Sequence, residues 1–386
     1  MFKLLKDCDV YAPHHLGRQD ILLCGERIVH MAATIDAPLG IGSLEICDCA
    51  GLLVVPGLID QHVHLIGGGG EGGPATRTPE VQLSEITTAG VTTVVGCLGT
   101  DGTTRHVATL LAKARALELE GLTTFIYTGA YQVPTPTITG NVRDDLIFID
   151  KVIGVGEIAI SDHRSAAPSD TEVLKLAAMA RVGGMLAKKP GLCHLHVGSG
   201  RQGLNPLFAM LEMSEIPIHH FIPTHCDRTP ELVNDAIRFA KMGGKVDLTA
   251  GSRTAETCIY MLEMGTPLEN ITFSSDGNGS LPRFNQDGVL VGLSVASLQT
   301  TLGAVRKLVL GHGWPLEDAL RPVTTNVART LELVGKKGTV AIGADADLVV
   351  LDRDLQVCSV FARGQKMIWE KQVLAKGTFE KYGQLP

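Results

Sequence analysis

Pro56-Gly57-Leu58-Ile59-Asp60-Gln61-His62-Val63-His64 is the stretch on which the fold turns: an apolar run that ends in two histidines one residue apart. Side chains alternate faces along a β-strand, so His62 and His64 share one face and can grip a single ion. A solvated or core histidine pair would read the same way. The rest of the chain has to decide between them.

Downstream of this run, apolar strands at Val91 to Val95, Thr123 to Tyr127, Val152 to Val155, Leu192 to Val197 and Ile271 to Ser274 alternate with helical stretches at Thr104 to Leu119, Asp170 to Val182 and Pro230 to Met242. Repeated strand-helix units imply a parallel sheet, and about eight of them close a (β/α)8 TIM barrel. The two ends of the chain read differently. Short strands with turns run through Asp20 to Cys24 and Arg27 to His30, and again through Ala346 to Asp352, Val357 to Phe361 and Met367 to Trp369. The expected organisation is an α/β chain: residues 56–336 form the barrel, and residues 1–55 and 337–386 meet in a small β-sandwich.

Composition narrows the function classes. A formal charge of -7 over 386 residues, with no basic stripe, argues against a nucleic-acid partner and for a small-molecule one. No long apolar segment of the kind a secretion signal needs follows Met1 to Lys6, and no run approaches the ~20 residues of a membrane span, so a cytoplasmic protein is expected. The nine cysteines form no Cys-x-x-Cys pair and read as reduced core thiols. Cys193 and Cys226 lie beside candidate ligands, which makes them the thiols to weigh as ligands.

Barrel enzymes carry their chemistry at the carboxyl ends of the strands. That rule collects His62 and His64, then Glu157, His196, His225 and Asp276. Four histidines and two carboxylates so placed are the inventory of a two-metal hydrolytic centre. His14, His15, His30, His106, His219, His220 and His312 fall in loops, helices or the β domain, where solvated or structural roles are expected. His194 is read as facing the helices, and His163 is given no catalytic role.

The ordered set resembles the amidohydrolase superfamily through Pro56 to Asp60, His62-x-His64 and Gly343-Ala344-Asp345-Ala346-Asp347-Leu348. Within it the chain is similar, over nearly its whole length, to the isoaspartyl dipeptidase family. That likeness is carried by Asp60 to Glu71 with its Gly67-Gly68-Gly69-Gly70 run, Leu98-Gly99-Thr100-Asp101, Thr128-Gly129-Ala130-Tyr131, Ile160 to Ser165, Pro223-Thr224-His225 and Ser274 to Ser280.

The resemblance implies a metallo-dipeptidase that hydrolyses the isopeptide bond of β-aspartyl dipeptides with two divalent ions, zinc by preference, and a bridging hydroxide. One metal is held by His62, His64, the bridging carboxylate and Asp276, the other by the bridge, His196 and His225. Two cations sharing one water lower its pKa. Asp276 then serves as base and afterwards as acid, and Tyr131 donates to the oxyanion. Glu71 suits the substrate ammonium, while Arg164 and Arg228 suit its carboxylates, which guanidinium binds in a fork. Gly69, Thr100 and Ser280 are further substrate contacts by the same match. The family also implies a homo-oligomer, commonly an octamer.

The chain departs from that pattern at one position. The family's bridge is a carboxylated lysine seven residues before the arginine of Ser161-Asp162-His163-Arg164-Ser165, and counting back from Arg164 lands on Glu157. Glu157 is therefore expected to bridge the metals itself, its backbone brought closer by a bulge at Gly156. A one-metal enzyme is the alternative. Other amidohydrolases, acting on cyclic amides or N-acyl amino acids, share the ligands, as do deaminases. A non-enzymatic hydantoinase-like scaffold shares only the fold.

Overall fold

The structure is a computed structural model that describes residues 2–36, 43–286 and 289–380. The chain opens with β1 (Phe2–Tyr11), β2 (His15–Cys24), β3 (Arg27–Ala32), β4 (Leu44–Asp48) and β5 (Leu53–Pro56). Eight strands follow in register with the strand-helix alternation: β6 (Leu58–Val63), β7 (Val91–Gly96), β8 (Thr123–Thr128), β9 (Val152–Ile160), β10 (Leu192–Val197), β11 (Phe221–Thr224), β12 (Val246–Thr249) and β13 (Ile271–Ser274). A short hairpin of β14 (Arg283–Phe284) and β15 (Leu290–Gly292) comes next. The chain closes with β16 (Leu348–Leu351), β17 (Val357–Ala362), β18 (Gln365–Trp369) and β19 (Gln372–Val373).

Strands β6 to β11 pair in parallel in sequence order, and β12 pairs in parallel with β13. The ring is closed by two backbone bonds, from Cys226 N–H to Asp247 O (3.2 Å) and from His64 N–H to Gly277 O (2.9 Å). This is the (β/α)8 barrel expected from the alternation. The helices start where the sequence supplies partners for their free N–H groups. Ser169 and Glu172 form a capping box before Asp170–Ala187, and Thr229 caps Pro230–Lys241. The helix expected from Thr104 begins at Val107, because the Asp101 carboxylate holds the Thr103 and Thr104 N–H groups in a turn (3.0 and 2.7 Å).

Both chain ends build the second unit. Its nine strands run in the order β19-β18-β17-β16-β5-β1-β2-β3, with β4 beside β1, around a core that includes Leu5, Val10, Ile21, Val54, Leu348 and Phe361. Gly57 joins the last strand of the sandwich's first half to the first barrel strand, and a Cβ there would overlap the Thr92 side chain. Lys337 ties the units together: its buried ammonium meets Thr123 of the barrel and both Asp345 and Asp347 of the sandwich side.

Inside the barrel the two-residue period sorts the side chains of β10. Cys193, Leu195 and Val197 join the apolar layer under the helices, whereas Leu192 lies in the interior cluster with Ile59, Val95, Cys97 and Tyr127. His194 corrects the sequence reading. It sits two residues from His196 and so shares its face, stacking on the Tyr127 ring (centroids 4.8 Å apart, planes 5°) with Nε2 3.3 Å from His62 Nδ1.

Candidate active site

The site begins at the carboxyl ends of the barrel strands. β6 carries His62 and delivers His64 just past its end, β10 carries His196, and His225 and Asp276 follow β11 and β13. His225 and Asp276 both hold left-handed backbone angles (φ 62° and 54°). Non-glycine residues adopt this region at a cost of roughly 1–3 kcal/mol, and such strain gathers at functional sites.

Glu157 reaches the same point through a bulge. Between paired positions Val155/Cys193 and Ile158/Leu195, β9 spends one residue more than β10. Gly156 packs against His194 so closely that a Cβ there would stand 2.7 Å from the His194 Cβ. The bulge turns the Glu157 carboxylate inward between two histidine pairs. Oε1 lies 2.7 Å from His196 Nδ1 and 3.1 Å from His225 Nε2. Oε2 lies 3.3 Å from His62 Nε2 and 3.8 Å from His64 Nε2. Asp276 Oδ1 completes the first pair at 3.0 Å from His64 Nε2 and 3.4 Å from His62 Nε2.

Every one of these six side chains is buried. Burial opposes charge on each, but the close pairing of unlike groups reverses it for several. Glu157 and Asp276 fall below the usual carboxylate range because His62 and its neighbours outweigh desolvation, and His62 rises because Glu157 does the same for it. His225 is lowered by burial and by the Arg228 charge. His194 is lowered to about 3 by burial and by neighbouring His62, which keeps it neutral.

Among the described residues, His62 Nε2 and Glu157 Oε2 make no hydrogen bond, although they lie 3.3 Å apart. A buried polar atom without a hydrogen bond costs about 1–3 kcal/mol, a cost that a bound cation would relieve for both. Two donor groups meet a cation's needs: His62, His64, Cys97 and Glu157 form one and Glu157, His196 and His225 the other, with donor atoms in each all within 4.8 Å of one another. Imidazole and carboxylate donors suit a divalent ion, and the residues present fit a two-ion centre joined at Glu157. Outer partners orient the rings: Thr249 Oγ1 lies 2.6 Å from His225 Nδ1, and Thr224 Oγ1, itself donating to Asp247, lies 3.4 Å from His62 Nδ1.

Above the cluster opens a cavity of about 580 Å³, whose lining includes Gly69, Glu71, Thr100, Tyr131, Arg164 and Arg228. The Glu71 carboxylate accepts from Ser280 Oγ (2.9 Å), Thr100 Oγ1 (3.3 Å) and Arg164 Nη1 (3.4 Å), which brings the expected substrate contacts into one corner. Tyr131 places its hydroxyl 2.6 Å from His196 Nδ1, at the border of cluster and cavity. Arg228 lies beside the same histidine, its Nη1 3.1 Å from His196 Nε2 and donating to Val197 O at 3.1 Å. The structure thus gathers all of the sequence-derived site residues around one centre.

It also adds groups that the sequence reading left without a role. Asp162 takes the Arg164 guanidinium in a fork (Nε–Oδ1 3.0 Å, Nη2–Oδ2 2.8 Å) and stands 2.9 Å from His196 Nε2. The β14–β15 hairpin brings Arg283 to the cavity wall. Cys193 and Cys226 are the core thiols that the sequence suggests. They belong to the apolar layer outside the barrel, and the cysteine inside is Cys97. The strand-end rule, applied to β7, points to it.

Histidines and carboxylates gathered at the carboxyl end of a (β/α)8 barrel that carries a sandwich of both chain ends are the arrangement of an amidohydrolase. A family model described as amidohydrolase family matches residues 301–365. The β-aspartyl dipeptidase of Fervidobacterium islandicum AW-1, solved in complex with β-Asp-Leu, is 46% identical over 97% of this chain and 98% of that one, with a TM-score of 0.91. The chain belongs to the β-aspartyl dipeptidase family. An imidazolonepropionase of Sphingopyxis alaskensis is 25% identical over 84% of each chain. The dihydropyrimidinase of Brevibacillus agri, at 16% identity and a TM-score of 0.63 over 98% of this chain and 97% of that one, shares the fold. Among the described residues no helix is long and apolar enough to cross a membrane.

Proposed function

We propose that this chain hydrolyses the isopeptide bond of β-aspartyl dipeptides such as β-Asp-Leu. The observation that carries the reading is the joining of two buried histidine pairs by one carboxylate, Glu157, beneath a cavity lined by Glu71, Asp162 and Asp276 and by Arg164, Arg228 and Arg283. Divalent cations held by His62, His64, Glu157 and Asp276 and by Glu157, His196 and His225 would supply an acidified water and an electrophile for the scissile carbonyl.

The chain's own groups divide the remaining work. Asp276, at the edge of the cluster, accepts the proton of the attacking water and delivers it to the leaving amine. Tyr131 is held protonated by burial and by the neighbouring Glu157 charge, so its hydroxyl can donate to the developing oxyanion. Glu71 receives the substrate ammonium, with Ser280 and Thr100 fixing its orientation. Arg164 and Arg228 receive the two carboxylates, and Asp162 holds Arg164 in place for that contact. Gly69, at φ 82° and with Thr76 O only 2.4 Å from where a Cβ would stand, lets the backbone line the cavity.

Zinc is the cation this donor set favours in our reading. A homo-oligomer is supported by exposed Phe148, Met185 and Leu186 on the adjoining helices Val142–Phe148 and Asp170–Ala187. Nine free cysteines suit the cytoplasm.

Assay of β-Asp-Leu against α-Asp-Leu and dihydroorotate, with and without chelator, tests the reading. Chelator-sensitive turnover of β-Asp-Leu alone is expected. Hydrolysis of α-Asp-Leu or dihydroorotate in preference, or of none of the three, overturns it.

A further inference from the structure

Cys97 is the first residue beyond β7 and is fully buried. Its Sγ lies 3.9 Å from His64 Nδ1, and its thiol is part of the donor group with His62, His64 and Glu157 whose atoms lie within 4.8 Å of one another. Only its weak contact to Val63 O, at 3.8 Å, draws the sulfur elsewhere. His62 Nε2 and Glu157 Oε2, buried atoms of this group that lie 3.3 Å apart, make no hydrogen bond among the described residues. A sulfur placed among them supplies a donor that neither histidines nor carboxylates account for.

Resting on the reading of this cluster as a metal centre, we propose that Cys97 is a thiolate ligand to the cation held by His62 and His64. The sulfur–metal bond forms as the thiol proton leaves to solvent, with no change of oxidation state. The consequences are chemical. A thiolate turns the first position toward softer cations, zinc and cadmium over manganese or magnesium. It adds a third negative charge to those of Glu157 and Asp276, which brings a buried pair of divalent ions nearer neutrality. His62, His64, Glu157 and Cys97 also make up the four donors that zinc ordinarily takes. Asp276 then becomes the donor most easily released, as a group that carries a proton must be.

The other role open to Cys97 is to accept a hydrogen bond from His64 Nδ1 while His64 binds through Nε2. Spectroscopy separates the two. The full-length protein is stripped with chelator and titrated with Co2+, and bound cobalt is counted. We expect two equivalents with a near-ultraviolet thiolate-to-cobalt charge-transfer absorption, and one sulfur at about 2.3 Å in the X-ray absorption spectrum of the zinc-loaded protein. In Cys97→Ser the absorption vanishes while cobalt still binds at His196 and His225. Affinity at the first position falls by more than the about 10- to 100-fold that follows loss of a residue merely orienting a ligand. Two equivalents of cobalt with neither charge transfer nor a sulfur neighbour, or an absorption that survives Cys97→Ser, overturn the thiolate ligand and leave the metal centre standing. Failure to take up cobalt overturns the metal centre, and the ligand with it. Should Cys97→Ser not fold, the two wild-type spectra decide the matter alone.

Discussion

Glu157 Oε1 stands 2.7 Å from His196 Nδ1, and the second oxygen of the same carboxylate is turned to the opposite histidine pair. A glutamate side chain carries both oxygens on its own covalent frame. Where relatives are expected to assemble a carboxylated lysine from carbon dioxide, nothing has to be captured here. Metal content and activity are therefore expected to be unchanged when the protein is prepared and assayed free of bicarbonate. A bicarbonate requirement for two-ion occupancy would rule out Glu157 as the bridge.

Glu157→Ala removes the carboxylate that touches both histidine pairs. Expected outcomes are loss of at least one of two bound ions by elemental analysis and loss of turnover, with the far-ultraviolet circular dichroism of the barrel retained. A Glu157→Ala protein that kept both ions and full activity would sink the bridging role.

Asp276 touches both His62 and His64 but neither His196 nor His225, so it can leave the cluster without opening its other half. Asp276→Asn keeps the shape and a carbonyl donor and removes the basic oxygen. A fall in kcat of about 10²- to 10⁴-fold is expected for a lost general acid–base group, with KM for β-Asp-Leu shifted far less. Equal losses in metal content and kcat would mean that Asp276 acts only as a ligand.

The barrel was legible because its strands announce themselves as apolar runs, and the strand-end rule then collected His62, His64, Glu157, His196, His225 and Asp276 from one periodicity. What escaped depends on three dimensions. Asp162 sits two residues beyond β9, and nothing in its local sequence says that it meets the Arg164 guanidinium and His196 Nε2 at once. Cys97 is one of nine cysteines, and adjacency to histidines in the sequence singles out Cys193 and Cys226 instead. Cys193 points the other way because neighbours along a strand alternate faces, and Cys226, beyond the end of β11, packs into the apolar layer with it. The same rule, misapplied to a two-residue step, put His194 outside the barrel. The β14–β15 hairpin is too short and irregular to leave a period, so its contribution of Arg283 to the cavity wall came from the structure alone.

Substrate contacts are separable from chemistry by their kinetics. Arg228→Lys keeps the charge but loses the planar fork, and Glu71→Gln keeps the shape but loses the charge. Each is expected to raise KM for β-Asp-Leu by about tenfold or more, on the order of the 1.5–3 kcal/mol of a charged hydrogen bond. Bound metal should be unchanged, since neither side chain belongs to the two donor groups. Unchanged KM with reduced metal would place these residues in the support of the centre.

Lys337 offers a test of how sandwich and barrel are joined. Its side chain is 4% exposed, with Asp347 beneath it at 5% and Asp345 2.8 Å away, and its ammonium also donates to Thr123 Oγ1 at 2.6 Å. Lys337→Met leaves the buried Asp347 carboxylate without its cation, which typically costs about 3–5 kcal/mol. Replacing Asp347 as well, in Lys337→Met with Asp347→Leu, removes the stranded charge. Much of the lost stability should then return, because a buried ion pair exchanged for apolar groups of similar size is often neutral. Denaturant unfolding of the wild type, the single variant and the double variant reads both steps. The site lies at the far ends of the barrel strands, so KM and kcat of the folded fraction are expected to stay at wild-type values. A single variant within about 1 kcal/mol of wild type would show that Asp347 finds its compensation from Arg363 N–H, its other partner at 2.7 Å, and not from Lys337.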